Sequence, residues 1–221
     1  MAKVKICGIR DDYTVRSAAR AGAEWVGFVL VPESPRFIAR DSYERVSDKL
    51  YDLLGTAAEH HVRSVVLLTD PDLDFLKGMT DAVLPDAIQL HGSESPDFVA
   101  QVREALPNYT EIWKAAGVEC LSDLERLSNY EAADRLLIDA KAPEGADRSG
   151  GHGQTFDWSI MERWDAPKPW LLAGGLTPEN VAGAIAATGA DAVDVSSGVE
   201  RERGVKDSDL IKKFIDAAKA A

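Results

Sequence analysis

The feature that most constrains the fold is a repeated alternation of short β-rich runs with amphipathic helical patterns along the 221 residues. Eight such units follow one another, and no linker or low-complexity tract separates them. This alternation predicts a parallel sheet, and about eight units favour a closed barrel over an open, doubly wound sheet. We therefore predict an α/β fold, a parallel (β/α)8 TIM barrel that forms a single domain over residues 1–221.

The two periodicities also predict where each element begins and ends. The predicted strands are Lys3–Cys7, Trp25–Leu30, Ser64–Leu68, Ala87–Leu90, Ile112–Ala115, Arg135–Asp139, Trp170–Ala173 and Ala192–Ser196. The predicted helices are Asp12–Ala21, Asp41–Glu59, Leu73–Met79, Pro96–Ala105, Ser122–Asn129, Phe156–Glu162, Thr177–Thr188 and Ser208–Ala220. We expect Thr177 to be an N-cap with Pro178 at the first helical position, and Ser95-Pro96 to begin its helix in the same way.

Composition and charge exclude several classes of partner. The formal net charge is −12, with 37 acidic against 25 basic residues, which argues against binding to nucleic acid or to an anionic membrane surface. Two cysteines do not suggest a disulfide framework and fit a reducing compartment. No secretory signal is visible at the start of the sequence, so we expect a cytoplasmic protein. The histidines have no ligand spacing with the cysteines, and we predict no metal.

In a barrel of this kind, the carboxyl ends of the strands and the loops after them form one mouth. The first strand brings Cys7 there, on the same face as Lys5, because Val4 and Ile6 alternate with these two residues. A small buried core residue is the alternative interpretation of this cysteine. The sixth strand ends in Asp139, where a buried carboxyl is suited to donate a proton, although a loop salt bridge is also open.

The other polar residues at the predicted mouth suit a small anionic substrate. Gly174-Gly175 and Ser197-Gly198 follow the last two strands, where this fold often holds phosphate, although two ordinary glycine turns are the alternative. Arg36 has a fork suited to a carboxylate, or is a surface arginine. Gln89 and His91 have the strand period of two, so both could face the mouth, and a structural histidine remains the alternative.

Taken together in order along the chain, these motifs resemble the phosphoribosylanthranilate isomerase family. The motifs are Lys5–Gly8, Ser34–Arg36, Gln89–Gly92, Gly150–Gly153 with Phe156–Trp158, Leu172–Leu176, Asp194–Glu200 and Gly204–Asp207. The ordered set covers essentially the whole chain. It implies a cofactor-independent isomerase of tryptophan biosynthesis that converts N-(5′-phosphoribosyl)anthranilate, by an Amadori rearrangement, to 1-(2-carboxyphenylamino)-1-deoxyribulose 5-phosphate.

The resemblance also implies a role for each matching residue. Asp139 would be the general acid and Cys7 the general base, with a thiol pKa lowered by Lys5, unless Lys5 pairs with a carboxylate instead. Arg36 would hold the anthranilate carboxylate. The remaining substrate contacts would come from Gln89, His91 and Asp194, and the phosphate contacts from Gly151, Gly153, Gly174, Gly175, Ser197 and Gly198. Arg10 and Gln154 depart from the family pattern, and Gln154 weakens the assignment of the loop around Gly153.

Two other functions stay open on the sequence alone. A barrel of this kind could form a Schiff base on lysine, with Lys114 or Lys5 as the nucleophile. It could also bind a sugar phosphate without turnover, although simple binding needs neither a thiol nor a facing acid. We expect a small-molecule phosphosugar as the partner and either a monomer or a homodimer.

Overall fold

The computed structural model describes residues 1–38, 46–140 and 157–221. Eight parallel strands, hydrogen-bonded in chain order, close into a barrel in which β8 pairs with β1. They are β1 Lys3–Cys7, β2 Trp25–Val29, β3 Arg63–Leu68, β4 Ala87–Leu90, β5 Glu111–Val118, β6 Arg135–Ala140, β7 Trp170–Leu172 and β8 Ala192–Val195. The predicted (β/α)8 barrel is confirmed, and the open sheet is excluded.

Helices surround this barrel, and a small hairpin follows its last strand. The α-helices are α1 Asp12–Ala21, α2 Val46–Glu59, α3 Leu73–Ala82, α4 Pro96–Ala105, α5 Leu121–Glu125, α6 Val181–Thr188 and α7 Ser208–Ala220. Short 3-10 helices cover Arg126–Asn129, Trp158–Arg163 and Ser197–Val199. The antiparallel hairpin consists of β9 Glu200–Glu202 and β10 Val205–Lys206. No helix among the described residues is long and apolar enough to cross a membrane.

The helix starts show which local signals were sufficient. Ser95 caps α4 by accepting a hydrogen bond from the Phe98 amide at 3.2 Å, as predicted. The cap expected at Thr177 is wrong, because α6 begins only at Val181. Asn180 Oδ1 accepts from the Thr177 amide at 2.8 Å, and Thr177 Oγ1 accepts from the Glu179 amide at 3.2 Å, so the two side chains stabilise a turn before the helix. Short polar side chains favour turns as well as caps, which is why the sequence pattern misplaced this start.

Other boundaries differ mainly in length. Strand β5 extends beyond the predicted Ile112–Ala115 at both ends. The helix expected at Ser122–Asn129 divides into α5 and a 3-10 turn. The helix expected at Phe156–Glu162 is a 3-10 helix from Trp158, and the first residues expected for α2 lie outside the described residues.

Alternation along the strands separates an inner layer from an outer one. Val4 and Ile6 belong to the large core between the strands and the helices. Lys5 and Cys7 point into the barrel, where a methyl group added at Gly27 would lie 3.0 Å from Cys7 Sγ and 3.2 Å from Lys5 Cε. The predicted placement of the thiol beside Lys5 is therefore confirmed.

Candidate active site

A buried ion pair lies at the seam between the first and last strands of the barrel. Lys5 Nζ is 2.8 Å from Asp194 Oδ1, and the Lys5 side chain is fully buried. Burial alone would lower the pKa of Lys5, but the Asp194 carboxylate outweighs it and the pKa is raised. Of the two interpretations left open for Lys5, the carboxylate partner is the one present. Asp194 is thereby fixed inside the barrel.

The Cys7 thiol lies just above this pair and is almost fully buried. It packs against Val29 and Leu67 from the neighbouring strands, which form an apolar wall on that side. Burial raises the pKa of the Cys7 thiol, and the positive charges of Lys5 and Lys206 only partly oppose this rise. The predicted lowering of the thiol pKa is wrong, because burial of the thiol outweighs the charges of Lys5 and Lys206, and the Asp194 carboxylate adds to the rise.

Across the mouth, a contact chain holds the carboxyl group of Asp139. Gln89 Nε2 is 2.8 Å from His91 Nδ1, and His91 Nε2 is 3.5 Å from Asp139 Oδ2. Through its two ring nitrogens His91 thus links the Gln89 amide, on the Nδ1 side, to the Asp139 carboxyl group, on the Nε2 side. The Ala140 amide donates to Asp139 Oδ1 at 2.8 Å. Both oxygens of Asp139 therefore have fixed neighbours.

Gln89 is fully buried in the barrel interior, at the level of the mouth. Its side-chain oxygen, Oε1, has no hydrogen-bond partner within the described residues. A buried acceptor without a partner costs free energy, of the order of 1–3 kcal/mol. The contacts described above bring Gln89 and His91 together with Asp139, and the predicted position of Gln89 and His91 at the mouth is confirmed.

Arg36 reaches the same end of the barrel from the loop after β2. Its guanidinium makes a two-point contact with Glu200, through Nε at 2.7 Å and Nη2 at 3.0 Å. Both side chains are buried. Three further N–H donors of the guanidinium remain on its other edges, since arginine carries five. Arg36 is therefore held rigidly, and it is not a surface residue.

Sequence reasoning gave no role to Glu200 or Lys206, which lie on the hairpin after β8. Glu200 accepts hydrogen bonds from Arg36, from Lys206 Nζ at 2.8 Å and from the Gly204 amide at 3.0 Å. Burial opposes ionisation of Glu200, but these donors and the Lys206 charge outweigh it and lower the pKa to about 2. Burial lowers the pKa of Lys206 to about 8, although Glu200 opposes that shift. The sequence signals for them were the motifs Asp194–Glu200, which ends at Glu200, and Gly204–Asp207, which contains Lys206.

Glycines bring the loops after β7 and β8 into close contact with their neighbours. A methyl group at Gly174, where φ is +86°, would lie 2.6 Å from the Ala140 amide nitrogen and 3.0 Å from Asp139 Oδ1. One at Gly198 would lie 1.9 Å from the Leu176 carbonyl oxygen. Gly175 and Ser197 adjoin these contacts. The predicted phosphate residues Gly151 and Gly153 lie outside the described residues.

The position of Lys114 does not support the Schiff-base chemistry that the sequence left open for this lysine. This residue alternates with Trp113 and Ala115 of the inner layer, so it faces outward from the barrel. Its Nζ lies 2.7 Å from Glu94 Oε2 and 2.8 Å from the Gly92 carbonyl oxygen. Within the described ranges, no three His, Cys, Asp or Glu side chains converge on a possible metal position.

The fold and the site define a (β/α)8-barrel enzyme with a thiol and a carboxyl group at the strand ends of one mouth. The family model for N-(5′-phosphoribosyl)anthranilate isomerase matches residues 4–217. The chain belongs to this family, and the isomerase function in tryptophan biosynthesis predicted from the sequence is confirmed.

Relatives of the chain extend over its full length. The N-(5′-phosphoribosyl)anthranilate isomerase of Hyphomonas neptunium is 49% identical, with 100% of this chain and 99% of that protein aligned. The crystal structure of the Thermotoga maritima enzyme is 36% identical, covers 100% of both chains and has a TM-score of 0.79. A further isomerase structure, in complex with reduced 1-(o-carboxyphenylamino)-1-deoxyribulose 5-phosphate, is 33% identical, again covers 100% of both chains and has a TM-score of 0.75.

Proposed function

We propose that the site converts N-(5′-phosphoribosyl)anthranilate to 1-(2-carboxyphenylamino)-1-deoxyribulose 5-phosphate, with Asp139 as general acid and Cys7 as general base. The observation that carries this assignment is the placement of these two groups. Cys7 is the last residue of β1 and Asp139 the last but one of β6, and β7 and β8 lie between these two strands on the shorter way round the barrel. The relative that binds the reduced product supports a substrate of this class.

The first step is ring opening, which needs an acid. Asp139 gives its proton to the ring oxygen of the ribose as the bond between that oxygen and C1 breaks. The lone pair of the anilino nitrogen forms a double bond to C1, which leaves a cationic Schiff base. The contacts from His91 and from the Ala140 amide fix the direction of the carboxyl group, so that its proton is delivered at one position.

The second step is removal of the C2 proton, which needs a base. The cationic nitrogen makes this proton acidic, and the Cys7 thiolate accepts it while the electron pair forms a double bond between C1 and C2. This neutralises the Schiff base and gives an enolamine. Transfer of the hydroxyl proton to C1 then gives the ketone product. One proton must also pass from the Cys7 thiol to the Asp139 carboxylate, which restores both groups for the next turnover.

The remaining polar groups position the substrate in this proposal. Arg36 binds the anthranilate carboxylate through guanidinium edges that Glu200 leaves open. The loops at Gly174-Gly175 and Ser197-Gly198, with Gly151 and Gly153, bind the phosphate through backbone N–H groups. Gln89, His91 and Asp194 contact the sugar. We further propose a single-domain, cytoplasmic enzyme, either a monomer or a homodimer, a choice that sedimentation at several protein concentrations distinguishes.

The test uses the two cysteines as a matched pair. Cys7→Ala is expected to lower kcat for conversion of N-(5′-phosphoribosyl)anthranilate about 100- to 10,000-fold, the usual contribution of a positioned base. Cys120→Ala removes the exposed thiol and should leave the rate unchanged. Circular dichroism establishes that both variants fold. A Cys7→Ala enzyme with near-normal kcat would contradict the role of the thiol.

A further inference from the structure

The amino group of Lys206 is held in one position close to the thiol strand. It donates to the Ser196 carbonyl oxygen at 2.9 Å, to Ser196 Oγ at 3.2 Å and to Glu200 Oε1 at 2.8 Å. Only 3% of its side chain is exposed. Three oxygen acceptors around a buried ammonium group satisfy all three of its protons.

Ser196 connects this ammonium group to the strand that carries Cys7. Ser196 Oγ is 3.1 Å from the Cys7 carbonyl oxygen, so two consecutive hydrogen bonds join Lys206 to the thiol residue. The register of β1 and β8 explains the contact, because Ile6 pairs with Val195 and the next residues lie side by side. The charge of Lys206 lowers the pKa of Cys7, against the larger opposite effect of burial.

The balance of charge around the thiol depends on this lysine. Lys5 and Asp194, from β1 and β8, form a pair with no net charge. Arg36, from the loop after β2, and Lys206, from the hairpin, each carry a positive charge, and Glu200 of the hairpin carries a negative one. These three groups together have one net positive charge. Across the mouth, within the part of the chain that the structure describes, the titratable pair is His91 and Asp139. The neighbours of Cys7 on β2 and β3 are apolar.

We propose that Lys206 is a positioning residue for the general base: its buried ammonium, fixed by Ser196 and Glu200, supplies the net positive charge that favours the Cys7 thiolate. The proposal deepens the proposed function, because it matters for turnover only if Cys7 is the base. It assigns the hairpin after β8 a role in the chemistry. A thiol buried against apolar side chains needs such a charge, since burial without it disfavours the ionised form.

The direct test is a titration of the thiol in a Cys120→Ser background, where Cys7 is the remaining cysteine. Ultraviolet absorbance of the thiolate reports the midpoint without substrate. Lys206→Arg keeps a positive charge throughout the titration, whereas Lys206→Gln keeps a hydrogen-bond donor but removes the charge, so the midpoint of Lys206→Gln should lie about one pH unit above that of Lys206→Arg. The parent midpoint should lie between the two, because the pKa of Lys206 is about 8 and this lysine loses its charge before the thiol is fully ionised. Equal midpoints in Lys206→Gln and Lys206→Arg would overturn the proposal.

Two further measurements keep the proposal falsifiable if Lys206→Gln folds poorly. Lys206→Met tests the same charge with an apolar replacement of similar length. Because the pKa of Lys206 is about 8, this lysine is charged at pH 7, and alkylation of Cys7 at pH 7 should be about tenfold faster in the parent than in Lys206→Met. Equal alkylation rates would contradict the coupling.

Steady-state kinetics separate this proposal from the proposed function. Lys206→Gln should lower kcat about tenfold at neutral pH with little change in KM, which corresponds to the expected loss of thiolate. A normal kcat with a shifted thiol midpoint would retain the electrostatic role of Lys206 and contradict Cys7 as the base. An unshifted midpoint with a raised KM would make Lys206 a substrate contact and overturn the present assignment.

Discussion

The two ends of the barrel use charged residues in opposite ways. At the amino end, Trp25 and Trp113 meet edge to face at 5.4 Å between ring centres, and the Arg63 guanidinium lies 4.6 Å from the centre of the Trp25 ring. Glu111 accepts from Trp113 Nε1 at 2.7 Å and from Arg135 Nε at 2.9 Å. Burial opposes ionisation of Glu111, but these donors outweigh it and lower its pKa.

At the carboxyl end, the charged groups are buried more deeply and are held mainly by one another. The Lys206 and Glu200 side chains are 3% and 4% exposed, whereas those of Arg63 and Glu111 are 42% and 31% exposed. Taking charges out of water costs free energy that their mutual attraction only partly returns. Charged groups at the amino end thus surround an aromatic plug, whereas the mouth retains buried charges at a cost in free energy, which agrees with the proposed roles in binding and proton transfer.

The largest effect should come from the acid at the mouth. Asp139→Asn keeps the shape of the side chain but removes its proton donor, and kcat should fall about 100- to 10,000-fold. The unfolding midpoint should change little. The control at the opposite end is Glu111→Gln, which should retain its kcat. Equal losses of kcat in Asp139→Asn and Glu111→Gln would contradict the prediction that only the carboxyl end of the barrel takes part in catalysis.

At the amino end, we expect a substitution to lower the stability of the protein and to leave its activity unchanged. Trp113→Ala removes a fully buried ring from the plug and should lower the free energy of unfolding by about 3–5 kcal/mol. Denaturant unfolding measures this loss. The kcat of the molecules that remain folded should stay near the parent value, and a kcat lowered as strongly as in Asp139→Asn would show that the plug also shapes the mouth.

The buried carboxylate of the mouth should make stability depend on acid pH. Because the pKa of Glu200 falls from its usual 4.5 to about 2 on folding, it stabilises the folded state above pH 4.5, and this contribution disappears as the pH falls toward 2. Its size is about 3 kcal/mol. Unfolding measured from pH 5 to pH 2 should show this loss in the parent protein and lack it in Glu200→Gln. Parallel curves would contradict the assignment.

The smallest of these effects is expected for substrate positioning. If Arg36 binds the substrate carboxylate as proposed, Arg36→Ala should raise KM about 10- to 100-fold, with a smaller change in kcat. Steady-state kinetics with N-(5′-phosphoribosyl)anthranilate measure both constants. The matched control is Arg63→Ala at the amino end, where KM should stay unchanged. A large fall in kcat alone would assign Arg36 to the chemical step instead.

Local patterns were sufficient for the barrel and for the face on which Cys7 lies, because alternation along one strand decides both. They were insufficient for the pKa of Cys7, because burial by distant strands outweighs the charge of Lys5, and the partner of Lys5 is Asp194, 189 residues away in the sequence. The hairpin was missed for the same reason. Glu200 contacts Arg36 across 164 residues, and neither residue has a local signal for the other.

The bond between Ser196 and the Cys7 carbonyl, with the ion pair of Lys5 and Asp194, has a consequence for synthesis on the ribosome. Both contacts join the beginning of the chain to its last strand, 189 residues later. The thiol leaves the ribosome early, but its electrostatic surroundings exist only after the final strand and hairpin have emerged. A nascent chain can therefore acquire most of its helices before it can acquire its activity. Measured enzymatic activity should therefore indicate that the barrel has closed completely.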